Sequence, residues 1–404
     1  MKAFNHDCPF TVKIALSITE FDPAQWNGLV RSGDIPFLEW EWLAALEKSG
    51  SVCPETGWYP LHLSLWDKDT LLAAAPLYLK NHSDGEFVWD YMWARAAASL
   101  GTPWYPKLTG VVPATPAEGY RFLAADNFPD RALLDSTLLD AAEALCRNNG
   151  IQGLHLLFAD PSWASRSLVE RGYYAWKHQR YVWENPGFAG FDDYLAGFTK
   201  NQRKNIRREY RRHEEQGIGL RIVDGAAAGQ RGYFDAIHDL YTITNDKFVP
   251  WDARWVNGEF FRLLGSTYSR RVVFSEAYRK GRQAAGEPEE TAALAMMIRT
   301  IGRLWGRYWG AYEDIKDLHF AVCYYAPMDY CIREDIRYFD PGAGSPHKIR
   351  RGFRPAFDTS YHKFFDPALE KLFGANIGEV NSYEEEIISE LNGGLPLKGA
   401  RPLL

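Results

Sequence analysis

A strongly basic segment follows a glycine-rich turn in the last sixth of the chain. It reads "FDPGAGSPHKIRRGFRP" (residues 339–355) and places His347, Lys348 and Arg351 behind two glycines and two prolines. A strand that ends in such a turn and leads into a helix presents backbone N–H groups to an anion. The segment has neither the GxxxxGK[ST] phosphate loop nor the GxGxxG dinucleotide motif. We expect Lys348, supported by His347 and Arg351, to contact a phosphate or carboxylate; the alternative is a surface turn whose cations face water.

A second basic run lies in the middle of the chain, at residues 200–220. Its sequence, "KNQRKNIRREYRRHEEQGIGL", predicts a basic helix over residues 200–213, which Gly217 terminates. One interpretation is a solvated surface helix carrying ion pairs. The other is an anion site for a nucleotide or an RNA phosphate. The donor contacts that we expect from this helix are Arg203, Lys204 and Arg207.

The elements that would position these residues follow a pattern that occurs twice. Residues 59–94 and residues 270–311 each predict two strands joined by a polar turn, then a third, aromatic strand. Segments with the three-and-four spacing of an amphipathic helix precede both. Further helix and strand follow each; in the second half, "LHFAVCYYAPMDYCI" (residues 318–332) is predicted as a strand.

This repeated order predicts an α/β (α+β) protein of two domains, each with a mixed, mostly antiparallel sheet flanked by helices. The Asn-Pro and Gly signals at residues 181–190 indicate the boundary. We therefore expect an N-terminal domain over residues 1–185 and a C-terminal domain over residues 186–404, with the basic helix and the active site in the second.

Composition excludes several classes of protein. A net charge of −6 argues against a protein that coats duplex DNA, which needs a basic surface. The five scattered cysteines indicate a reducing compartment, and the ten histidines show no HExxH or other metal-site spacing. We see no signal peptide and no apolar run long enough to span a bilayer. We expect a cytoplasmic protein that binds no metal.

Three motifs, in order along the chain, carry a family resemblance. They are "FDDYLAGFTKNQRKNIRRE" (residues 191–209), "LHFAVCYYAPMDYCI" and "IRYFDPGAGSPHKIRRGFRP" (residues 336–355). Together with the first half they resemble, over about residues 35–365, a bacterial family of N-acyltransferases grouped with the Fem-like peptidoglycan aminoacyltransferases. The resemblance implies two GNAT-like domains and a lysine after a Gly-containing turn, here Lys348.

The chain departs from this family pattern at three points. Relatives carry Glu where this chain has Ala321, and Gln where it has Ala326. The Arg/Gln-x-x-Gly-x-Gly/Ala loop of simple acetyltransferases is also not evident. These departures question both the activity and the use of acyl-CoA as donor.

Acyl transfer to an amine needs a base for the amine, donors for the oxyanion and a clamp for the donor's phosphates. The base candidates are His319, at the beginning of its predicted strand, and Asp340, at the end of the next. On a strand Tyr324 and Tyr325 face opposite ways, so one of them can donate a proton in the site, and we select Tyr325. The aromatic residues expected to hold the acyl group or a peptide are Tyr308 and Trp309.

Two functions follow from these observations. The first is an N-acyltransferase that uses acyl-CoA or aminoacyl-tRNA as donor, with no tightly bound cofactor, and an amine of a peptide, amino acid or cell-wall precursor as acceptor. tRNA is then a candidate partner. The second is a non-catalytic GNAT-like module that binds a nucleotide, an RNA or a cell-wall peptide. The first predicts that His319, Asp340 and Lys348 face one cleft.

Overall fold

The computed structural model describes residues 10–249, 253–281, 289–344 and 346–398. The chain divides into two compact units, Met1–His178 with Phe357–Glu385, and Gln179–Ala356 with Glu386–Leu404. The domains predicted at residues 1–185 and 186–404 were contiguous, whereas the first unit takes a second segment from late in the chain. The reason is strand pairing, because Tyr361–Phe364 pair antiparallel with Gly153–Leu156.

Fifteen strands occur in the described part of the chain. In chain order they are β1 (Thr11–Ala15), β2 (Trp58–Pro60), β3 (His62–Asp67), β4 (Thr70–Ala75), β5 (Leu77–Lys80), β6 (Lys107–Gly110), β7 (Leu123–Ala124), β8 (Gly153–Leu156), β9 (Tyr174–Glu184), β10 (Ile218–Asp224), β11 (Val272–Arg279), β12 (Glu290–Arg299), β13 (Arg303–Ala311), β14 (Tyr338–Asp340) and β15 (Arg354–Phe364).

Thirteen α-helices accompany them in the same described ranges. They are α1 (Pro23–Asn27), α2 (Trp40–Lys48), α3 (Tyr91–Ser99), α4 (Arg131–Asn148), α5 (Pro161–Ser167), α6 (Phe191–Ala196), α7 (Lys200–Glu215), α8 (Gly225–Gln230), α9 (Tyr233–Asp246), α10 (Gly258–Thr267), α11 (Leu318–Phe320), α12 (Ala326–Arg333) and α13 (Pro367–Gly393). No helix among the described residues combines the length and apolar character that a bilayer span requires.

The first unit contains two layers of paired strands. One is an antiparallel sheet in the order β1-β3-β4-β7. The other runs in the order β15-β8-β6-β5-β2, in which β6 and β8 are parallel and the other pairs are antiparallel. The helix α4 contacts β3, β4 and β8 and buries Leu134, Leu138 and Leu139. The prediction of mixed, mostly antiparallel sheets flanked by helices is confirmed here.

The second unit is built on the strand order β10-β11-β12-β13-β14-β9. The strands β11 to β13 form an antiparallel meander, as predicted for residues 270–311. The strand β10 pairs antiparallel with β11, and β13 pairs parallel with β14. The helices α9 and α10 pack together, and α9 covers β12 and β13. On the core side, α12 buries Met328, Cys331 and Ile332 against Phe339 of β14.

Two segments that the sequence predicts as strands are not strands in the structure. In the first half, the predicted third strand within residues 86–94 is a loop followed by the beginning of α3. In the second half, residues 318–333 form α11, a π-helical turn at Ala321–Tyr325 and α12. Pro327 explains the π-turn, because proline lacks the N–H for an i→i−4 bond and its ring clashes with the preceding turn of a regular helix.

Candidate active site

The two parallel strands of the second unit separate at their carboxyl ends. They pair at Arg303↔Tyr338, Leu304↔Phe339 and Trp305↔Asp340, after which β14 ends while β13 continues to Ala311. Pro341 packs beside Gly306, where a Cβ would lie at an ordinary contact distance of 3.5 Å from the Pro341 carbonyl. The glycine-rich turn lies against Gly306, because a Cβ at Gly342 would be 3.0 Å from the Gly306 carbonyl oxygen. Beyond Gly306, no strand among the described residues pairs with this edge of β13.

The glycine-rich turn is held together by two of the predicted site residues. An Asp340 carboxylate oxygen accepts a 2.7 Å hydrogen bond from the N–H of Gly342, which adopts a φ of +79°. The Nζ of Lys348 donates to the carbonyl oxygens of Gly342 at 2.7 Å and Ala343 at 2.9 Å. Asp340 and Lys348 thus shape the same turn.

The alternative of a surface turn whose cations face water does not hold for Lys348. Its side chain is buried, with 1% of its surface accessible. Burial lowers the pKa of Lys348 to about 8, with Asp340 acting in the opposite direction. Two of its three N–H groups bond to the turn, so Lys348 supplies positive charge from inside the site.

An aromatic cluster lies beside this turn and combines residues of four elements. The His319 ring of α11 lies 4.6 Å from Trp309 of β13, 5.1 Å from Tyr324 and 6.1 Å from His347, measured between ring centroids. The Tyr324 hydroxyl and the Nε2 of His347 are 3.1 Å apart, a hydrogen bond. The structure therefore brings together His319, Trp309 and His347, which the sequence singled out separately.

Both imidazoles of this cluster are neutral at neutral pH. Burial lowers the pKa of His319 to about 3, and His347, Arg351 and Lys348 act in the same direction. Burial also lowers the pKa of the half-buried His347, and so do Arg351 and Lys348. Desolvation and fixed cations both disfavour a further positive charge. A neutral imidazole next to fixed cations can accept a proton and leaves the positive charge free to face an anion.

The predicted proton donor Tyr325 forms its hydrogen bond with a residue outside the aromatic cluster. Tyr324 and Tyr325 do not alternate on a strand, because the segment is the π-turn, and both side chains are buried. The Tyr325 hydroxyl donates to an Oε2 of Glu209 at 2.6 Å, and burial raises its pKa. The neighbouring Tyr324, which we had not selected, is the one whose hydroxyl meets His347.

Glu209 connects the basic helix α7 to the site. Its Oε2 also accepts a 2.8 Å hydrogen bond from Arg351, whose guanidinium lies 3.3 Å from the ring centre of Phe320. Arg351 is only 4% exposed and donates a second bond to the His347 carbonyl oxygen. Arg351 therefore fixes the helical turn that carries His347.

Sequence reasoning missed the role of Glu209, although a signal was present. Within the basic run, Ile206 and His213 are buried and Tyr210 is half-buried, which marks the inner face of α7. Glu209 lies on that face, one position before Tyr210, and not among the solvated charges.

The remaining predicted contacts are spread over two other surfaces. Tyr308 lies on the opposite side of β13 from Trp309, where it packs against Tyr241, Phe260 and Phe261. On α7, Lys204 and Arg207 are exposed and Arg203 is half-buried. Arg207 forms a 2.9 Å ion pair with Asp192. The basic helix thus carries both a solvated ion pair and cations open to an anion.

Comparison with known protein families gives a clear relationship. The profile of the FemAB-like family, described as peptidoglycan biosynthesis/recognition, matches residues 17–399. The chain belongs to the FemAB-like family. No curated protein sequence matches it significantly.

Two solved structures show that the fold recurs in other proteins. FemX covers 87% of this chain and 98% of its own, with a TM-score of 0.53 at 10% identity. The C-terminal domain of a putative lysylphosphatidylglycerol synthetase from Agrobacterium fabrum covers 91% and 97%, with a TM-score of 0.50 at 11% identity. A tandem GNAT protein from the clavulanic acid pathway also matches, at a TM-score of 0.45 and 12% identity over 89% of this chain and 99% of its own. The predicted α+β class with two GNAT-like domains is confirmed for this FemAB-like chain.

Proposed function

We propose that this FemAB-like protein is an N-acyltransferase whose site lies in the second unit. The observation that carries the proposal is the separation of β13 and β14 after Trp305↔Asp340, beside a cluster of neutral histidines, a tyrosine hydroxyl and fixed cations. An extended acyl donor can pair with the free edge of β13, and its carbonyl carbon then lies near the cluster. Family membership supports the same class of reaction.

The proposed reaction is direct attack of an amine on the donor carbonyl. A carbon–nitrogen bond forms, the bond from carbon to the leaving sulfur or oxygen breaks, and the amine loses one proton. We assign that proton to the pair Tyr324–His347: the Tyr324 hydroxyl receives it while passing its own proton to Nε2 of His347. The leaving group takes up a proton from the solvent or from His347 afterwards.

His347 suits this role better than the other base candidates. The pKa of His319, at about 3, makes that ring a weak base at neutral pH. Asp340 is engaged in holding the N–H of Gly342. His319 and Trp309 are then walls that orient the acceptor, and Lys348 and Arg351 supply positive potential for the developing oxyanion.

Acyl-CoA and aminoacyl-tRNA both remain candidate donors, because each carries phosphates that the exposed cations of α7 can attract. The family description supports an amine acceptor from peptidoglycan metabolism. A cytoplasmic location stays a prediction.

A second candidate, a binding protein without catalysis, is favoured by one observation. Ala321 and Ala326, where the family resemblance implies Glu and Gln, are 1% and 6% exposed and lie on either side of the Tyr324–Tyr325 pair. A chain that lacks both polar side chains inside this turn can retain the ligand and lose the chemistry.

The test combines binding with turnover. The purified protein is titrated with acetyl-CoA, longer acyl-CoAs and aminoacyl-tRNA in thermal-shift experiments, since a ligand of the native state raises Tm. Donors that bind are then incubated with amine acceptors, and amide product is measured by mass spectrometry. We expect Tyr324→Phe and His347→Gln to bind donor normally and to lower the rate about 100-fold or more.

The matched control is Tyr312→Phe, an exposed tyrosine directly after β13. It should leave both binding and rate unchanged. Donor binding without any product would support the binding protein, and equal rates in Tyr324→Phe and wild type would contradict the proposed proton path.

A further inference from the structure

The first unit contains a cavity that the proposed acyl transfer does not use. It measures about 630 Å³ and is lined mainly by residues of α4 and α5. Pockets for small organic ligands fall in the range of about 300–1,000 Å³. The cavity is therefore large enough for a small molecule and too large for a single inorganic ion.

Arginine dominates the polar lining of this cavity. Three acidic residues line it as well, which leaves an excess of two positive charges in a chain whose net charge is −6. The arginines are Arg31, Arg121, Arg131, Arg166 and Arg171. The acidic residues are Asp130, Asp135 and Glu170.

Three of the guanidinium groups are held by carboxylates that do not line the cavity. Arg121 donates from Nε to Asp34 at 2.7 Å, and its Nη2 bonds to the other oxygen of the same carboxylate. Arg131 pairs with Asp126. Arg171 lies 2.8 Å from Asp140. Such pairs fix the orientation of a planar guanidinium. Backbone carbonyls hold two of them further, because Arg121 Nη1 donates to Phe122 at 3.0 Å and Arg171 Nη2 to Ser136 at 3.4 Å.

The other two arginines lack this support. The nearest carboxylate oxygens to Arg31 Nε lie at 3.8 and 3.9 Å, beyond hydrogen-bond distance, and this buried Nε has no hydrogen-bond partner. Burial lowers the pKa of Arg31, and the neighbouring Arg121 adds to the effect. In the described ranges Arg166 has no carboxylate within 4 Å; it acts on Asp135 only at longer range. An incoming anion can reach the exposed Arg166 and the accessible part of Arg31, whose side chain is 35% exposed.

The acidic lining residues are engaged or peripheral. Asp130 caps α4 by accepting from the N–H of Leu133 at 3.0 Å. The Asp135 carboxylate lies 3.5 Å from the hydroxyl of Ser167, and Glu170 is exposed. Accessible apolar lining comes from Ala132 and Leu133, of which Leu133 is 41% exposed, whereas Leu139 and Trp163 are fully buried. The cavity thus combines fixed cations with an apolar wall.

We propose that this cavity, between α4 and α5, binds an organic phosphate: one or two phosphate groups on the arginines and an apolar or ring-shaped group against Ala132 and Leu133. Arginine guanidinium is the side chain best matched to phosphate, because its fork donates two parallel hydrogen bonds. The inference does not depend on the proposed acyl transfer, which concerns the second unit.

The experiment measures binding by isothermal titration calorimetry with ADP, inorganic pyrophosphate and adenosine as probes. We expect ADP to bind with one saturable site, pyrophosphate more weakly, and adenosine hardly at all. Arg166→Ala removes an exposed side chain and should weaken ADP binding about tenfold, the effect of losing one charge-assisted hydrogen bond. Arg31→Gln should act in the same direction.

Two controls separate this site from other effects. Arg147→Ala removes an exposed arginine of α4 that does not line the cavity, and it should leave ADP binding unchanged. Tyr312→Phe, an exposed tyrosine of the second unit, should do the same. ADP binding that persists in both cavity variants would overturn the proposal, as would equal weakening in Arg147→Ala. Pyrophosphate binding as tight as ADP would overturn the assignment of an organic ligand.

Discussion

Replacement of Glu209 by alanine offers a direct test of how the basic helix is coupled to the site. One carboxylate oxygen accepts from both the Tyr325 hydroxyl and the Arg351 guanidinium, at 2.6 and 2.8 Å. Glu209→Ala leaves a buried cation without its partner and a buried hydroxyl without its acceptor. Arg351 keeps its bond to the His347 carbonyl oxygen and its contact with Phe320.

The expected loss of stability follows from how deeply the two charged side chains are buried. Removal of one partner of a buried ion pair costs about 3–5 kcal/mol. The side chain of Arg351 is 5% exposed, but that of Glu209 is 19% exposed, so water can replace part of the lost interaction. We therefore expect the free energy of unfolding of the second unit to fall by about 2–3 kcal/mol. In a unit of this size that loss corresponds to a decrease in Tm of about 4–12 °C.

The assay is urea unfolding, supported by differential scanning calorimetry. The matched control is Glu215→Ala, an exposed residue of the same helix, which should change stability by less than about 0.5 kcal/mol. Glu209→Gln retains an acceptor without the charge and should fall between the two. In a double-mutant cycle with Arg351→Met, the two substitutions should be non-additive by at least about 1 kcal/mol. Equal stabilities for Glu209→Ala and Glu215→Ala would refute the coupling.

Three further predictions concern pH, packing and the turn. Burial lowers the pKa of His178 to about 3, so below its unfolded pKa of about 6.5 the unfolded state binds more protons and the protein loses stability. At pH 5 this group alone accounts for a loss of about 2 kcal/mol. The variant His178→Gln should largely remove that loss when urea unfolding is compared at pH 7 and pH 5. Gly310→Ala would place a Cβ 2.1 Å from the Leu240 carbonyl oxygen and should cost about 3 kcal/mol by calorimetry, whereas Gly302→Ala, with nothing within 4 Å, should be neutral. Lys348→Glu should destabilise the second unit more than Lys348→Met does, because it directs a buried carboxylate at two carbonyl oxygens. A fully stable Lys348→Glu variant would argue against the buried position of the Lys348 side chain.

The elements that sequence predicted correctly are those whose signal is local. The strands at residues 270–311 alternate or run apolar between turn residues, and the basic helix α7 has a clear terminator in Gly217. The strand prediction for residues 318–333 was wrong because the aromatic and β-branched residues around Pro327 favour a strand. Their helical state depends on a π-turn and on burial against β14, which no local pattern encodes.

The error at residues 86–94 has a long-range cause. Glu86 and Asp90 are buried because both bind the Nζ of Lys107, at 2.7 and 2.6 Å. This buried ion cluster holds the segment as a loop and a helix start, although its aromatic residues favour a strand. The partner lies 17 residues beyond Asp90, so the pairing is invisible to strand propensity.

In the candidate site, too, the features with a local sequence signal could be predicted and the long-range contacts could not. The basic turn and His319 were predicted separately, and the structure brings His319, Trp309 and His347 into contact. The choice between Tyr324 and Tyr325 and the role of Glu209 could not be predicted, because both depend on which face of a helical turn meets which neighbour.

The discontinuity of the first unit has a consequence for biosynthesis. Its strand β8 gains its neighbour β15 only when Phe357–Glu385 has been made, roughly 200 residues after His178. At a translation rate of about 5–20 residues per second, the delay is about 10–40 s. During that interval the edge of β8 opposite β6 has no partner, and an unpaired strand edge is a template for pairing with another chain. The nascent protein is thus most prone to aggregation in the half that was translated first.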